Sequence, residues 1–463
     1  MPKVGFISLG CPKNLVDSEV MLGLLGQNGF EITSRESEAD ILVVNTCSFI
    51  DAAQRESIDA ILEASRWKEE GKCKKLIVAG CLVERYRDEI RREIPEVDAV
   101  IGTNQISQII DLCAQPAYAP ALPETPFLYD DTTPRTLTTK KHYAYMKVAE
   151  GCDHPCTFCI IPQLRGKFRS RKPDSVLREA RQLAEQGVKE INLIGQDTTM
   201  YGRDLEPRTT LAALLRQLNK VEGIEWIRFL YCYPHSTTDE LLETVAGLSK
   251  VCKYFDIPFQ HASGRILKRM KRGGDAEFLL RIVEKIRRYI PQVTLRSTMI
   301  LGFPGETEND FDDLVRFVEA AQLDRMGAFL YSDEDTSAAS RLEEKVPRSV
   351  ARKRRDRLMR LQRKISLQKN RLWVGKRTRA LLDGPSGETD FLWQARTEGQ
   401  APDIDGCVLI NDGPENAFQP GNLAMVEITE AHPYDLVGHI VENQELRIKN
   451  EELRIKNQSP VIR

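Results

Sequence analysis

Short apolar runs recur along the chain, and amphipathic stretches separate them. Within the first 113 residues, Lys3–Leu9, Asp40–Asn45 and Lys74–Ala79 read as strands, and Asp17–Asn28, Ala52–Glu70 and Val83–Glu93 as helices. Buried-type strands alternating with amphipathic helices predict a parallel α/β unit. Residues 114–141 break the pattern with five prolines, Pro116, Pro120, Pro123, Pro126 and Pro134, and read as a linker. From Tyr143 the alternation resumes. Strand candidates are Tyr143–Ala149, Glu190–Ile194, Trp226–Leu230, Tyr254–Ile257, Val293–Leu301 and Met326–Tyr331. Patterns such as Asp174–Gln186 and Thr307–Ala321 supply helices between them, with Asp174 placed as an N-cap and Gly187 as a stop. Six strand–helix units over 142–340 predict an incomplete (β/α)6 barrel.

Beyond it, Arg341–Arg371 holds thirteen Lys/Arg against three Asp/Glu. Leu358, Leu361, Ile365 and Leu372 keep helical spacing, so this connector packs one face and leaves a basic face wet. Residues 372–440 show short apolar bursts between Gly/Asp turns, which predicts a small all-β barrel. Residues 441–463 form a charged tail in which ELRIKN occurs twice, at 445–450 and 452–457. Two heptads are too few for a coiled coil.

Length and composition change this picture little: 463 residues fit about three domains of ordinary soluble make-up. The longest clean apolar run, Leu76–Val83, is far short of the ~18 residues of a membrane helix. The chain enters Val4–Leu9 without a basic, apolar leader, so the expectation is a cytoplasmic protein with no membrane partner. A net charge of −2 gives no global field for nucleic acid.

The eleven cysteines are more informative. In a reducing compartment, clustered cysteines point to metal or redox chemistry rather than disulfides. Cys152, Cys156 and Cys159 form CxxxCxxC within GCDHPCTFCIIP. Three thiolates in eight residues suit an iron–sulfur cluster or zinc. Zinc prefers a fourth nearby ligand, and His154 is awkwardly spaced for one. The economical reading is a 4Fe-4S cluster with three irons held by protein and the fourth open, at the carboxyl end of the first barrel strand, where barrel sites assemble. Cys11, Cys47 and Cys81 each follow the carboxyl end of a successive strand of the first unit, so one sheet edge gathers them. Three small buried residues in tight turns would leave the same pattern. Cys73, Cys113, Cys232, Cys252 and Cys407 show no such arrangement and read as inert thiols, and His235 and His261 as packing residues near the mouth.

CxxxCxxC after the first barrel strand resembles the signature of radical S-adenosylmethionine enzymes. A three-cysteine N-terminal domain (1–113), a Pro-rich linker (114–141), a radical barrel (142–340), a basic connector (341–371) and a small barrel resembling a TRAM domain (372–440) look like the methylthiotransferase family. Ser8–Glu19 (SLGCPKNLVDSE), Asn45–Ala53 (NTCSFIDAA) and Asn192–Gly202 (NLIGQDTTMYG) are similar to its RimO type. That branch modifies an aspartate of small-subunit ribosomal protein twelve. The sister branch, which modifies transfer-RNA adenosine, has Gln–Met–Asn where this chain has Pro12–Lys13–Asn14. The resemblance implies that Cys152, Cys156 and Cys159 hold the radical cluster and Cys11, Cys47 and Cys81 an auxiliary 4Fe-4S cluster that binds or supplies sulfur. It further implies Phe158 near the adenine of S-adenosylmethionine, Gly195, Gln196 and Asp197 at its methionine moiety, and Gly302 close to the nucleoside. Two S-adenosylmethionine molecules would serve, one as radical source and one as methyl donor, together with an electron donor. Residues 372–440 carry four Lys/Arg against eleven Asp/Glu, which suits a basic protein substrate better than nucleic acid, while the basic connector is available to ribosomal RNA. The rivals are a transfer-RNA methylthiotransferase and a non-catalytic iron–sulfur RNA-binding protein.

Overall fold

The computed structural model describes residues 2–115, 127–387, 389 and 391–441. Pro116, Pro120, Pro123 and Pro126 of the linker, Glu388 and Asp390, and the repeat at 445–457 lie outside the described residues.

Strands β1 (Lys3–Ser8), β2 (Glu31–Thr33), β3 (Ile41–Thr46), β4 (Lys75–Gly80) and β5 (Ala99–Ile101) form a parallel sheet in the order β2–β1–β3–β4–β5. Helices α1 (Pro12–Gln27), α2 (Asp51–Glu70) and α3 (Cys81–Glu93) follow β1, β3 and β4, and α4 (Ile109–Ala114) follows β5. Helix α1 begins at Pro12, not at the expected Asp17. Proline suits a first turn because its missing N–H has no helical partner there. The polar residues that hide this turn from a periodicity test, Lys13, Asn14 and Asp17, are buried.

The cysteine loop leaves the barrel between two short strands, β7 (Ala149–Glu150) and β8 (Arg169–Ser170), which pair antiparallel after β6 (Tyr143–Lys147). Helix α5 (Ile161–Arg165) lies within that excursion. The remaining barrel strands are β9 (Glu190–Ile194), β10 (Trp226–Phe229), β11 (Tyr254–Asp256), β12 (Thr294–Leu301) and β13 (Arg325–Leu330). β6–β9–β10 and β11–β12–β13 are two parallel ribbons, joined by the parallel bridge Ile227–Val251. The six long strands therefore follow one another around an open barrel. Helices α6 (Pro173–Glu185), α7 (Leu211–Leu218), α8 (Asp239–Gly247), α9 (Gly264–Arg269), α10 (Ala276–Tyr289) and α11 (Glu308–Ala321) occupy the intervals between the later strands. The cap of α6 is Lys172, because Pro173 takes the first helical position and moves Asp174 inside the first turn. There its charge still favours the helix dipole. Thr307 caps α11 in a reciprocal box with Asp310.

Helix α12 (Arg348–Arg371) packs on the barrel through Ala351, Leu358 and Ile365. Leu361 is only half-buried, and Leu372 lies past the helix end at 66% exposure, so the apolar stripe is shorter than expected. Gly302, at the end of β12, has φ +78°, and a Cβ there would overlap Ala351 Cβ on α12. Gly302→Val is therefore expected to lower stability by about 1–3 kcal/mol, read as a fall in the thermal midpoint. An unchanged midpoint would show that α12 yields without cost.

Strands β14 (Arg377–Pro385), β15 (Trp393–Thr397), β16 (Val408–Ile410), β17 (Leu423–Ala431) and β18 (Leu436–Val441) close into a barrel in the order β14–β15–β16–β18–β17. Its 398–405 segment meets the amino-terminal ends of the large barrel's strands. Asp403 accepts from Tyr143 and Tyr145 hydroxyls, and Asp405 accepts from Tyr254 at 2.7 Å. Asp383 pairs with Arg396 and His142. Three of the acids that give this region its charge thus lock it to the floor of the large barrel. Glu398, Asp412, Glu415 and Glu430 stay exposed.

Candidate metal centres at the barrel mouth

The loop after β7 carries Cys152, Cys156 and Cys159, and its neighbours fix its course. Thr157 donates from its backbone N to Met270 O (3.1 Å) and from its hydroxyl to Arg269 O (2.9 Å). His154 Nε2 lies 2.6 Å from Asp197 Oδ2, and the imidazole stacks on Tyr233 with ring centroids 3.8 Å apart. Arg272 lies over the same Tyr233 ring and donates to Cys156 Sγ at 3.6 Å. Burial pushes the Cys152 thiol up to about 11 and Cys159 up to about 12, with Cys156 adding to both shifts and Cys152 to the second. A cavity of about 240 Å³ opens beside Cys156 and Cys159.

The second triad gathers on the sheet edge as the strand ends require. Cys11 caps α1, Cys47 follows β3 and Cys81 opens α3. Gly10 has φ +92°, and a Cβ there would stand 2.7 Å from Cys47 Cβ, so glycine lets the Cys11 turn lie on Cys47. Asn14 ties the turns together. Its Nδ2 donates to Leu9 O (3.1 Å) and Thr46 O (2.8 Å), while Oδ1 faces Cys81 Sγ at 3.7 Å. Burial pushes Cys81 up to about 12 and raises Cys47, with Cys11 adding to each.

In each triad the thiols are near enough to oppose one another's ionisation, and a soft metal centre replaces those protons with its own charge. Among the described residues no three His, Cys, Asp or Glu side chains meet the geometry of a single-ion site.

Arg165 connects the two centres. It ends α5, shortly after Cys159, and is 2% exposed. It donates to Asp17 and Glu150 at 3.0 Å each, to Asn14 Oδ1 at 2.5 Å and to Cys81 Sγ at 3.5 Å. Lys147 joins the same Asp17 and Glu150. Burial works against the Glu150 carboxylate, and the Arg165 and Lys147 charges outweigh it, holding its pKa well below the usual range.

The other expected cofactor contacts divide. Gln196 Nε2 donates to Glu150, leaving Oε1 buried with no donor, as suits an incoming ammonium group. At Gly195 a Cβ would meet nothing nearer than Ala149 O at 3.5 Å, so the glycine keeps space that no protein atom claims. Phe158 packs beside Ile266, Met270 and Phe303, an apolar wall. Asp197, 2% exposed, is already committed to His154 and to Thr199, whose backbone N and hydroxyl both donate to it. It positions the cysteine loop. Gly302 is accounted for by α12. His261 is a buried packing residue whose Nδ1 accepts from Ser263 N, and His235 lies against Phe278. Sequence reasoning passed over Arg165 and Arg272, whose sulfur partners lie 84 and 116 residues away in the chain.

Comparison with known proteins agrees with this architecture. Residues 3–102 match the Uncharacterized protein family UPF0004, 146–318 the Radical SAM superfamily and 374–441 the TRAM domain. Among solved structures, the radical S-adenosylmethionine methyltransferase TsrM from Kitasatospora setae shares the fold, with TM-score 0.53 at 15% identity over 71% of this chain and 75% of that one. The open barrel with its three-cysteine loop thus makes this a radical S-adenosylmethionine protein carrying a TRAM domain. Full-length relatives narrow the class. The Solibacter usitatus protein named ribosomal protein uS12 methylthiotransferase RimO is 56% identical over 96% of both chains. Proteins of the same name from Geobacter sulfurreducens and Desulfitobacterium hafniense are 45% and 44% identical, over 95% of this chain and 98% and 99% of theirs. The chain belongs to the RimO family. No helix among the described residues is long and apolar enough to cross a membrane.

Proposed function

We propose that this chain is a radical methylthiotransferase that replaces a hydrogen on the β-carbon of an aspartate in ribosomal protein uS12 with a methylthio group, working in the cytoplasm. One observation carries the reading. Arg165, on the helix that leaves the first cysteine loop, donates to Cys81 of the second triad, so the two centres serve one mouth. Cys152, Cys156 and Cys159 hold one 4Fe-4S cluster, and Cys11, Cys47 and Cys81 the other. When bound, the clusters and S-adenosylmethionine supply one-electron chemistry able to open an unactivated C–H bond, together with sulfur and a methyl group.

The chain's own residues bind and orient. Gln196 Oε1 accepts from the ammonium of S-adenosylmethionine, and Phe158 offers an apolar wall to its adenine. Arg272, by donating to Cys156 Sγ, stabilises the thiolate and raises the potential of the centre it binds. His154, clamped between Asp197 and Tyr233, keeps the loop in place. The exposed acids of the C-terminal barrel face a basic protein, and the outer face of α12 faces ribosomal RNA. An electron donor completes the system.

Anaerobic reconstitution with uS12, S-adenosylmethionine and a reductant tests this. Mass spectrometry should show uS12 gaining one CH2S unit, and 5′-deoxyadenosine should accumulate. Cys156→Ser should lose roughly half the iron and both products, whereas Cys81→Ser should lose the other half and the uS12 product only. Modified transfer RNA in place of modified uS12 would overturn the substrate. Absence of 5′-deoxyadenosine would overturn the enzyme.

A further inference from the structure

Lys13 stands two residues after Cys11, in the first turn of α1, and is 7% exposed. Its side chain crosses from the N-terminal unit to the large barrel, with Nζ 2.9 Å from the centroid of the Tyr231 ring. Tyr231 follows β10 and has φ +64°, a left-handed backbone that a bulky residue keeps only where its surroundings impose it. The ring is therefore held at the carboxyl end of the barrel, beneath the ammonium.

Carboxylates nearby are already committed. Glu150 binds Lys147, Arg165 and Gln196. Asp256 binds Arg296 at 2.7 Å and accepts from Tyr231 N at 3.1 Å. Among the described residues no carboxylate forms a hydrogen bond or ion pair with Lys13 Nζ, and the nearest charge that favours its ammonium is the Cys11 sulfur, which the cluster itself claims. Lysine is almost never this buried without an anion, and an aromatic face meets the need only in part.

We infer that the missing anion is the side-chain carboxylate of the target aspartate, making Lys13 a substrate-binding residue that selects aspartate over neutral side chains. The inference rests on the reading given under Proposed function. It explains the lysine's place. The β-carbon is bonded directly to the carboxylate carbon, so anchoring the carboxylate beside Cys11 holds the reacting carbon between the two centres. An asparagine of the same shape would leave the ammonium buried and unpaired, so the site rejects it by charge.

The test uses reconstituted holoenzyme, recombinant uS12 and uS12 with the modified aspartate changed to asparagine. Wild type should bind and modify the aspartate form and discriminate strongly against asparagine. Lys13→Gln should lose about 30- to 100-fold in kcat/KM on the aspartate form and most of the discrimination. Lys13→Arg should recover most of both. Fluorescence anisotropy without reductant should give the same order of affinities, independent of turnover. Iron, sulfide and the electron paramagnetic resonance signals should stay at wild-type values. If wild type modifies uS12 but Lys13→Gln keeps its preference for aspartate, the inference fails and the functional reading stands. It fails equally if the variant alters iron content or signals with preference intact, because the lysine then serves the auxiliary centre. If wild type leaves both forms of uS12 unmodified, the functional reading falls and the inference falls with it.

Discussion

Replacing Arg165 by methionine is expected to lower stability by about 3–5 kcal/mol, the usual consequence of removing one partner from a buried ionic group. The guanidinium faces two carboxylates, an amide oxygen and a cysteine sulfur. Without it, Lys147 alone faces Asp17 and Glu150, and one negative charge is left in a site that excludes water. Arg165→Lys keeps the charge but loses the fork that reaches four atoms at once, so its loss should be smaller yet clear. The damage should fall on the seam between the N-terminal sheet and the barrel. Urea unfolding followed at Trp67 in α2 and at Trp226 in β10, each isolated by replacing the other three tryptophans, reports the two sides separately. Both transitions should move to lower urea, and the N-terminal one further. Adding Glu150→Gln to Arg165→Met removes the stranded charge and should return part of the loss, a coupling that a double-mutant cycle measures. Midpoints equal to wild type would mean that the two units do not depend on this residue.

Arg165 also marks the boundary between what the sequence reveals and what it hides. The gathering of six cysteines into two groups was readable because their pattern is local: one group lies in a single loop, and each member of the other follows an apolar run that has to be a strand. Most strands were legible because each apolar run is flanked by an amphipathic helix. Strands β2 and β5, three residues each, were missed, whereas the equally short β11 was read because its apolar run continues past the strand to Ile257. The start of α1 was hidden for a different reason. A helix is recognised by a wet polar face, and in α1 Lys13, Asn14, Asp17 and Glu19 are polar but buried, because that face meets the barrel and the 135–138 segment. Arg165, Arg272 and Lys13 owe their roles to neighbours brought in by the fold, and no spacing announces them. Asp197 adds a partner the motif does not announce: its carboxylate meets His154 and Thr199.

At the opposite end of the barrel, Glu190→Gln is expected to destabilise the chain by about 3–5 kcal/mol, by the same physics with the charges exchanged. Glu190 is fully buried, and its two oxygens accept from Arg228 at 3.0 Å and Arg396 at 2.6 Å. Arg396 retains a second carboxylate, Asp383, through two bonds of 2.8 and 2.9 Å. Arg228 has no other ion-pair partner among the described residues and already carries an unpaired buried Nη2. The loss therefore concentrates at Arg228, whose remaining strong bond runs to Glu398 O on the segment that meets the barrel floor. The C-terminal barrel should loosen first, seen as a larger radius in solution scattering and a lower thermal midpoint. Acid should act on this seam separately. Burial opposes ionisation of Asp383, but the His142 hydrogen bond and the Arg396 charge prevail and hold its pKa below the ordinary 3.8. A carboxylate so depressed stabilises the fold fully above its unfolded pKa, and the contribution fades as pH falls through the lower folded value. The Asp383 contribution should therefore stay whole from neutral pH to about 4 in wild type and variant alike, and be lost only below that. Iron content and the preference for aspartate should not change, because the floor lies a barrel's length from the mouth. A variant that lost iron while its C-terminal barrel stayed docked would show instead that Glu190 supports the mouth through the strands themselves.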